Sequence, residues 1–216
     1  MSKDFTDQRL SYEKGVLEAD QLPSNPLELL QQWLDEATEQ GAPEPYAMSL
    51  ATCGNDNQPS VRIVLLREIT DQGLIFYTNY DSDKGQDLAA NPHAEVLFFW
   101  HEMQRQVRVR GLVSKIAEAK SQDYFHKRPH DSQLAACVST PQSGEVASRE
   151  VMEATFSELK QQYPHGSEVP KPEFWGGYEL SVVEVEFWQG RANRMHDRIV
   201  FTQQSATRWS TKRLLP

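Results

Sequence analysis

Between Tyr46 and Val113 the sequence breaks into short runs of aliphatic, aromatic and β-branched residues separated by turn residues. The runs are Ala47–Cys53, Ser60–Glu68, Leu74–Asn79, Ala94–Trp100 and Gln104–Val113. Each has the length and composition of a strand, and Gly54-Asn55-Asp56-Asn57 reads as a hairpin turn between the first two. A short helix over Asp81–Ala90, closed by Asn91-Pro92, is the one interruption. Strands joined this closely, with helices at the margins, predict a mainly β chain: an antiparallel barrel with peripheral helices.

The flanks fit that frame. Asn25-Pro26-Leu27-Glu28 has the cap, first-turn proline and acidic third residue of a helix start, and Gly41 ends it. Ala117–Lys127 reads as a helix broken by Pro129, with Asp131-Ser132 starting another. Ser148–Tyr163 is a long helix whose Val151, Met152, Phe156 and Leu159 form a stripe expected to be buried. Pro164–Pro172 is a linker, and further strands cover Tyr178–Trp188 and Ile199–Thr202. Residues 1–24 are polar and weakly patterned, an arm with a helical turn expected around Gln8–Lys14. Residues 25–216 read as a single domain.

The chain has 216 residues and a net charge of −9. That acidity argues against nucleic acid as a partner. No apolar run is long enough for a membrane span, and the N-terminus lacks the apolar core of a signal peptide, so a cytoplasmic protein is expected. Cys53 and Cys137 lack metal-ligand spacing and read as buried, reduced thiols. Against this acidic background, the islands Arg62/Arg67, Arg105/Arg108/Arg110, Lys127/Arg128 and Arg191/Arg194/Arg198 look placed for small phosphorylated ligands.

Two arginines bracket the run Ser60–Glu68, whose apolar centre predicts burial on both faces. Arg62 and Arg67 are five residues apart, so on one continuous strand they point to opposite faces and reach two separate anions, or are simply surface arginines. Gln104, Gln106, Arg108 and Arg110 share one face of the next long strand, turned to solvent or to a lined cavity. Tyr124 and Arg128 stand i, i+4, and with Ser132 at a helix start they form either a phosphate cradle or an ordinary cap beside a surface arginine. The strand ending at Trp188 runs into Gln189, Gly190, Arg194, His196, Asp197 and Arg198, a crowd of anion-binding, stacking and proton-moving groups at the end of an apolar strand. The alternative is a solvated loop with one stacked Arg–Trp pair. No nucleotide-loop glycine motif, no G-x-S-x-G and no paired-histidine metal motif occurs.

In order along nearly the whole chain, several motifs resemble the pyridoxamine 5′-phosphate oxidase family. They are Arg9-x-x-Tyr12, Arg62-Ile63-Val64-Leu65-Leu66, Phe76-Tyr77-Thr78-Asn79, Arg105-Gln106-Val107-Arg108, and Tyr124-Phe125-x-x-Arg128-Pro129-x-Asp131-Ser132-Gln133. Towards the C-terminus follow Phe174-Trp175-Gly176-Gly177, Glu186-Phe187-Trp188-Gln189-Gly190, Arg194-x-His196-Asp197-Arg198 and the final Arg-Leu-x-Pro. The resemblance implies an FMN-binding split β-barrel and a homodimer with FMN between subunits. It implies oxidation of pyridoxamine or pyridoxine 5′-phosphate to pyridoxal 5′-phosphate with O2, releasing H2O2 and, from the amine, NH3.

The resemblance also implies residue roles. Arg62 and Lys84, with Asp83 beside it, would hold the FMN phosphate. Ile63, Val64, Leu65, Leu66 and Arg67 would run along the flavin, and Tyr77, Thr78, Gln106, Gln142, Ser143, Trp188 and Arg198 would complete its site. The substrate phosphate would sit among Arg67, Tyr124, Arg128 and Ser132. Arg194 and His196 would be the catalytic pair over the substrate ring, with Met195 between them, and the arm would bring Arg9 and Tyr12 to the site. Two departures stand out: Arg67 replaces the family's usual lysine, and Asp83 replaces a residue that is often basic. The second predicts weaker flavin retention. Rival readings are another split-barrel flavin oxidoreductase, or a non-catalytic FMN or pyridoxal phosphate binder; neither needs the whole set.

Overall fold

The computed structural model describes residues 3–4, 6–7, 11–140 and 142–216. In chain order its elements are α1 (Pro26–Glu39), β1 (Ala47–Cys53), β2 (Pro59–Leu65), β3 (Glu68–Ile69), β4 (Gly73–Asn79), α2 (Asp83–Ala90) and β5 (His93–Trp100). Then come β6 (Arg105–Lys115), α3 (Glu118–Lys127), α4 (His130–Val138), α5 (Arg149–Gln162), β7 (Trp175–Gln189), β8 (Asp197–Ser205) and β9 (Arg208–Arg213). The strands hydrogen-bond in the order β2-β1-β5-β6-β7-β4-β3, with β8 on β7 and β9 on β8. The pairings of β4 with β7, β7 with β8 and β8 with β9 are antiparallel, as expected. Contacts divide the chain into two compact units, and β1, β5, β6 and β7 each contribute residues to both.

The first unit comprises residues 1–49, 95–110 and 182–216. Its helix α1 starts as the sequence predicts: the Asn25 side chain accepts from the Leu27 N–H at 3.0 Å. Gly41 takes the left-handed conformation (φ 74°) that ends the helix. Leu30, Trp33 and Ala37 are buried. Trp33 meets Phe187 edge-on at 5.1 Å, and Phe187 meets Phe201 edge-on at 5.7 Å, so an aromatic core ties α1 to β7 and β8. In the arm, Arg9 lies outside the described residues, as do residues 8 and 10 of the expected helical turn; residues 11–14 form no helix.

The second unit comprises residues 50–94 and 111–181. Phe125, Leu134, Val169 and Trp175 form a buried cluster that joins α3, α4 and the start of β7, with Tyr77, Tyr124, Phe156 and Leu159 packed against it. Gly85 lets α2 sit close on the chain before it, since a Cβ there would lie 2.0 Å from the Tyr80 carbonyl oxygen.

Four sequence expectations change here. The run Ser60–Glu68 is two strands: β2 is placed beside β1, and β3 pairs with β4, so the chain changes partner at Leu66-Arg67. The parity argument for Arg62 and Arg67 therefore does not apply. Burial on both faces also fails, because β2 ends the sheet order and Val61 and Ile63 are 65% and 63% exposed. Helix α5 has no fully buried residue; Val151 and Met152 are exposed, and Phe156 and Leu159 are half-buried. Cys53 and Cys137 are free but half-buried.

Candidate functional site

In the second unit a cavity of about 280 Å³ is lined by Ile63, Val64, Leu65, Arg67, Tyr77, Thr78, Lys84, Tyr124, Arg128, Gln142 and Trp175. Ten of these belong to the set expected from sequence; Trp175 is the addition. Three rings form one wall. Tyr77 stacks on Tyr124 at 3.9 Å and on Trp175 at 5.5 Å, and Tyr124 and Trp175 are within 4° of parallel. The Arg128 guanidinium sits 4.8 Å from the Trp175 ring centroid. Such a shelf suits a flat ring. Burial, with Glu68 next in effect, pushes the Tyr77 phenol up to about 12, so it remains protonated.

Trp175 is held from behind. The Lys171 side chain is 2% exposed, and its ammonium donates to the Pro172 and Trp175 carbonyls at 2.9 and 2.7 Å while pairing with Glu118 at 2.9 Å. All three ammonium protons thus have partners.

The cavity's cations are organised for anions. Arg128 lies below its ordinary range, through burial and through the like charge of Arg67, and its Nη1 is buried without a hydrogen-bond partner. A buried guanidinium nitrogen left unbonded fits an acceptor-rich group such as a phosphate. Ser132 stands in the first turn of α4, half-buried, its backbone N–H donating to Pro129 O at 2.8 Å, and is not among the residues that line the cavity; Arg128 lies outside α3 as its cap, so the two are not one helical turn apart.

The second cationic pair is Arg62 and Lys84. Lys84 donates to Ser82 Oγ at 3.1 Å and to Gln142 Oε1 at 3.2 Å, and burial followed by the charge of Arg62 lowers its pKa. Arg62 is lowered by burial and raised in part by Asp87 and Asp83. Its Nη1 donates to Leu50 O at 3.3 Å and Thr52 Oγ1 at 2.6 Å, and its Nη2 to Ser60 Oγ. Asp83 begins α2, and its N–H donates to Ser143 Oγ at 3.3 Å. Ser143 has φ 72°, a conformation disfavoured for serine that is retained where this loop meets α2.

The first unit carries the remaining residues. Tyr12, Trp188 and His196 form a ring cluster, with Tyr12–Trp188 edge-on at 5.8 Å and Trp188–His196 centroids 4.7 Å apart. The Arg191 N–H donates to His196 Nδ1 at 3.0 Å, so the neutral ring carries its proton on Nε2. Burial and the charge of Arg194 lower the His196 pKa. Arg194 is exposed on a turn in which Asn193 (φ 56°) and Arg194 (φ 62°) are both left-handed, a conformation costly for arginine. Met195 is 71% exposed. Arg198 is taken up by Glu186, to which its Nε and Nη2 donate at 2.8 and 3.1 Å. Gln106 is half-buried on β6.

Around Leu17 the arm is docked. Leu17 is buried; its N–H donates to Asp197 Oδ2 at 3.2 Å and its carbonyl accepts from Arg213 at 2.8 Å. Burial alone would raise Asp197, but hydrogen bonds from Leu17, Arg213 and Arg191 hold it below the usual carboxylate range. Gly190 makes room for Tyr12: a Cβ there would lie 2.6 Å from the ring.

One expected cationic island is ion-paired within the chain. Arg108 pairs with Glu95 and Glu186, Arg110 with Glu95 and Glu184, and Arg105 with Glu36, so these charges are spent within the chain. Sequence reasoning missed Thr52, Asp87 and Lys171. The i, i+3 spacing of Lys84 and Asp87 on α2 was the available signal for Asp87.

Comparison with known proteins gives concordant matches. The family described as "Pyridoxamine 5'-phosphate oxidase" matches residues 34–163, and "Pyridoxine 5'-phosphate oxidase C-terminal dimerisation region" matches residues 175–216. The pyridoxine/pyridoxamine 5′-phosphate oxidase of Psychrobacter cryohalolentis is 65% identical over 100% of both chains. That of Acinetobacter baylyi is 52% identical over 99% of this chain and 98% of the relative. Among solved structures, PhzG of Burkholderia lata 383, in complex with tetrahydrophenazine-1-carboxylic acid, is 32% identical, with TM-score 0.86 over 93% of this chain and 98% of its own. A pyridoxamine 5′-phosphate oxidase-related, FMN-binding protein of Nostoc punctiforme shares the fold at 16% identity and TM-score 0.71, over 90% of this chain and 100% of its own.

Proposed function

The chain belongs to the pyridoxamine 5′-phosphate oxidase family and is an oxidase with the split-barrel fold; from that premise we propose that it converts pyridoxamine and pyridoxine 5′-phosphates to pyridoxal 5′-phosphate, using FMN and O2 and releasing H2O2, with NH3 from the amine. The observation that carries this reading is the cavity of the second unit, where Arg67, Lys84 and Arg128 meet three near-parallel rings. That combination suits flat phosphorylated molecules. Bound FMN supplies the two-electron acceptor; the protein supplies position and electrostatics.

Arg62 and Lys84, with Gln142 and Ser143, hold the flavin phosphate in this reading. Arg67, Tyr124, Arg128 and Ser132 hold the substrate phosphate, whose binding energy fixes the reacting carbon. Arg194 presents a positive charge to the substrate ring, and neutral His196 donates from Nε2. Tyr12 closes over them from the arm. We further infer a homodimer, supported by the match to a dimerisation region and by the exposed Val61 and Ile63 on an edge strand.

Aerobic incubation with pyridoxamine 5′-phosphate and FMN tests the activity. Pyridoxal 5′-phosphate absorbance should grow with enzyme concentration. Flavin binding without product would overturn the reading.

A further inference from the structure

Arg62 does not stand alone. The Thr52 hydroxyl, on a residue only 3% exposed, accepts from Arg62 Nη1 at 2.6 Å and donates to Asp87 Oδ2 at 2.6 Å. Asp87 lies 3.9 Å from Arg62 Nη2, and Ser60 accepts from that same nitrogen. The Thr52 hydroxyl has one proton, and Asp87 takes it; its lone pairs therefore face Arg62. Donation runs one way, from guanidinium to hydroxyl to carboxylate. Gly54 leaves room for the carboxylate, because a Cβ there would fall 2.8 Å from Asp87 Oδ1. Asp87 and Lys84 lie one turn apart on α2, so one helix carries both a counter-charge for Arg62 and the second cation beside it.

The arrangement answers a physical difficulty. Arg62 and Lys84 are both partly desolvated, and the charge of Arg62 disfavours that of Lys84. An arginine side chain in that field, left unrestrained, turns its head away from the lysine and towards water. Hydrogen bonds at both Nη atoms fix the plane of the fork before any ligand arrives, and preorganisation of this kind lowers the cost of binding.

We propose that Thr52, backed by Asp87, and Ser60 are positioning residues for Arg62, and that they set this chain's preference for phosphorylated over unphosphorylated flavin. The inference rests on the reading of Arg62 as a flavin-phosphate residue. Affinities of the apoprotein for FMN and for riboflavin, measured by quenching of flavin fluorescence, test it. Thr52→Val keeps the side-chain shape and removes the hydroxyl; it should weaken FMN about tenfold and leave riboflavin within about twofold, since a hydrogen bond to a charged group is at stake. Thr52→Ser should restore FMN affinity to within about twofold. Ser60→Ala, on a partly exposed edge strand, gives an independent arm that does not depend on refilling a buried site; it should weaken FMN about threefold to fivefold, again sparing riboflavin. Wild-type FMN-to-riboflavin ratios in both Thr52→Val and Ser60→Ala, or equal losses of both flavins, would overturn the proposal. Arg62→Ala separates the two layers. If it leaves the ratio unchanged, the role of Arg62 itself is wrong; if it abolishes the ratio while the hydroxyl variants do not, only the positioning proposal fails.

Discussion

At the scale of single residues, the two best-defined groups are a guanidinium with one buried nitrogen unbonded and an imidazole that accepts a hydrogen bond. Arg128 keeps a buried Nη1 unbonded beside a shelf of rings. Arg128→Ala should raise the KM for pyridoxamine 5′-phosphate by roughly 10- to 100-fold, the range of a charge-assisted hydrogen bond, while FMN affinity stays within about twofold. Steady-state kinetics and flavin titration read the two effects separately. His196 accepts from the Arg191 N–H, and protonation would set a donor against a donor next to Arg194. Its folded pKa lies below its unfolded value, so the unfolded chain binds more protons in the window between them. Stability from this group is therefore complete above the ordinary histidine range near 6.5 and falls as pH drops through the folded pKa. In an NMR titration of the six histidines, the signal lost in His196→Gln should have a midpoint below that of free histidine.

At the scale of elements, the sequence was informative wherever structure is local. The start of α1, the strand runs other than Ser60–Glu68 and the helix break at Pro129 follow from caps, periodicity and proline geometry, and are found within a residue or two. Ten of the residues that line the cavity of the second unit were likewise legible, because the motifs that carry them are short. Expectations failed where the decisive partner is distant. Arg108 and Arg110 look like a free cationic face until Glu95, Glu184 and Glu186 arrive from other strands. Thr52 and Asp87 are 35 residues apart, which no local pattern reveals. The stripe on α5 has helical periodicity, but periodicity does not say what covers it. Lys171 belongs to the same class. It anchors the entry to β7 through two carbonyls and Glu118, so Lys171→Met should lower stability by about 1–3 kcal/mol and alter Trp175 fluorescence, as denaturant titration would show.

At the scale of the whole molecule, Arg128, proposed to bind the substrate phosphate, belongs to one compact unit, and Arg194 and His196, proposed for the substrate ring, belong to the other. In the proposed homodimer the two sets can be supplied by different chains. Assayed with substrate well below the raised KM, Arg128→Ala and Arg194→Ala should each turn over slowly as homodimers. Refolded together they should recover a fraction of wild-type turnover if each site draws on two subunits; no recovery would mean that a single chain supplies the entire set. The arm gives a related expectation. Arg213→Ala removes the donor to the Leu17 carbonyl, and limited proteolysis should then cut within residues 11–18 several times faster.

Gly190 places a more delicate constraint on the same segment. The Tyr12 ring fills the volume that any side chain at 190 would need, although 178 positions of sequence separate the two. Gly190→Ala would evict the phenol without altering one charge or one hydrogen-bonding side chain. A single methyl group therefore decides whether Tyr12 keeps its seat at the end of β7.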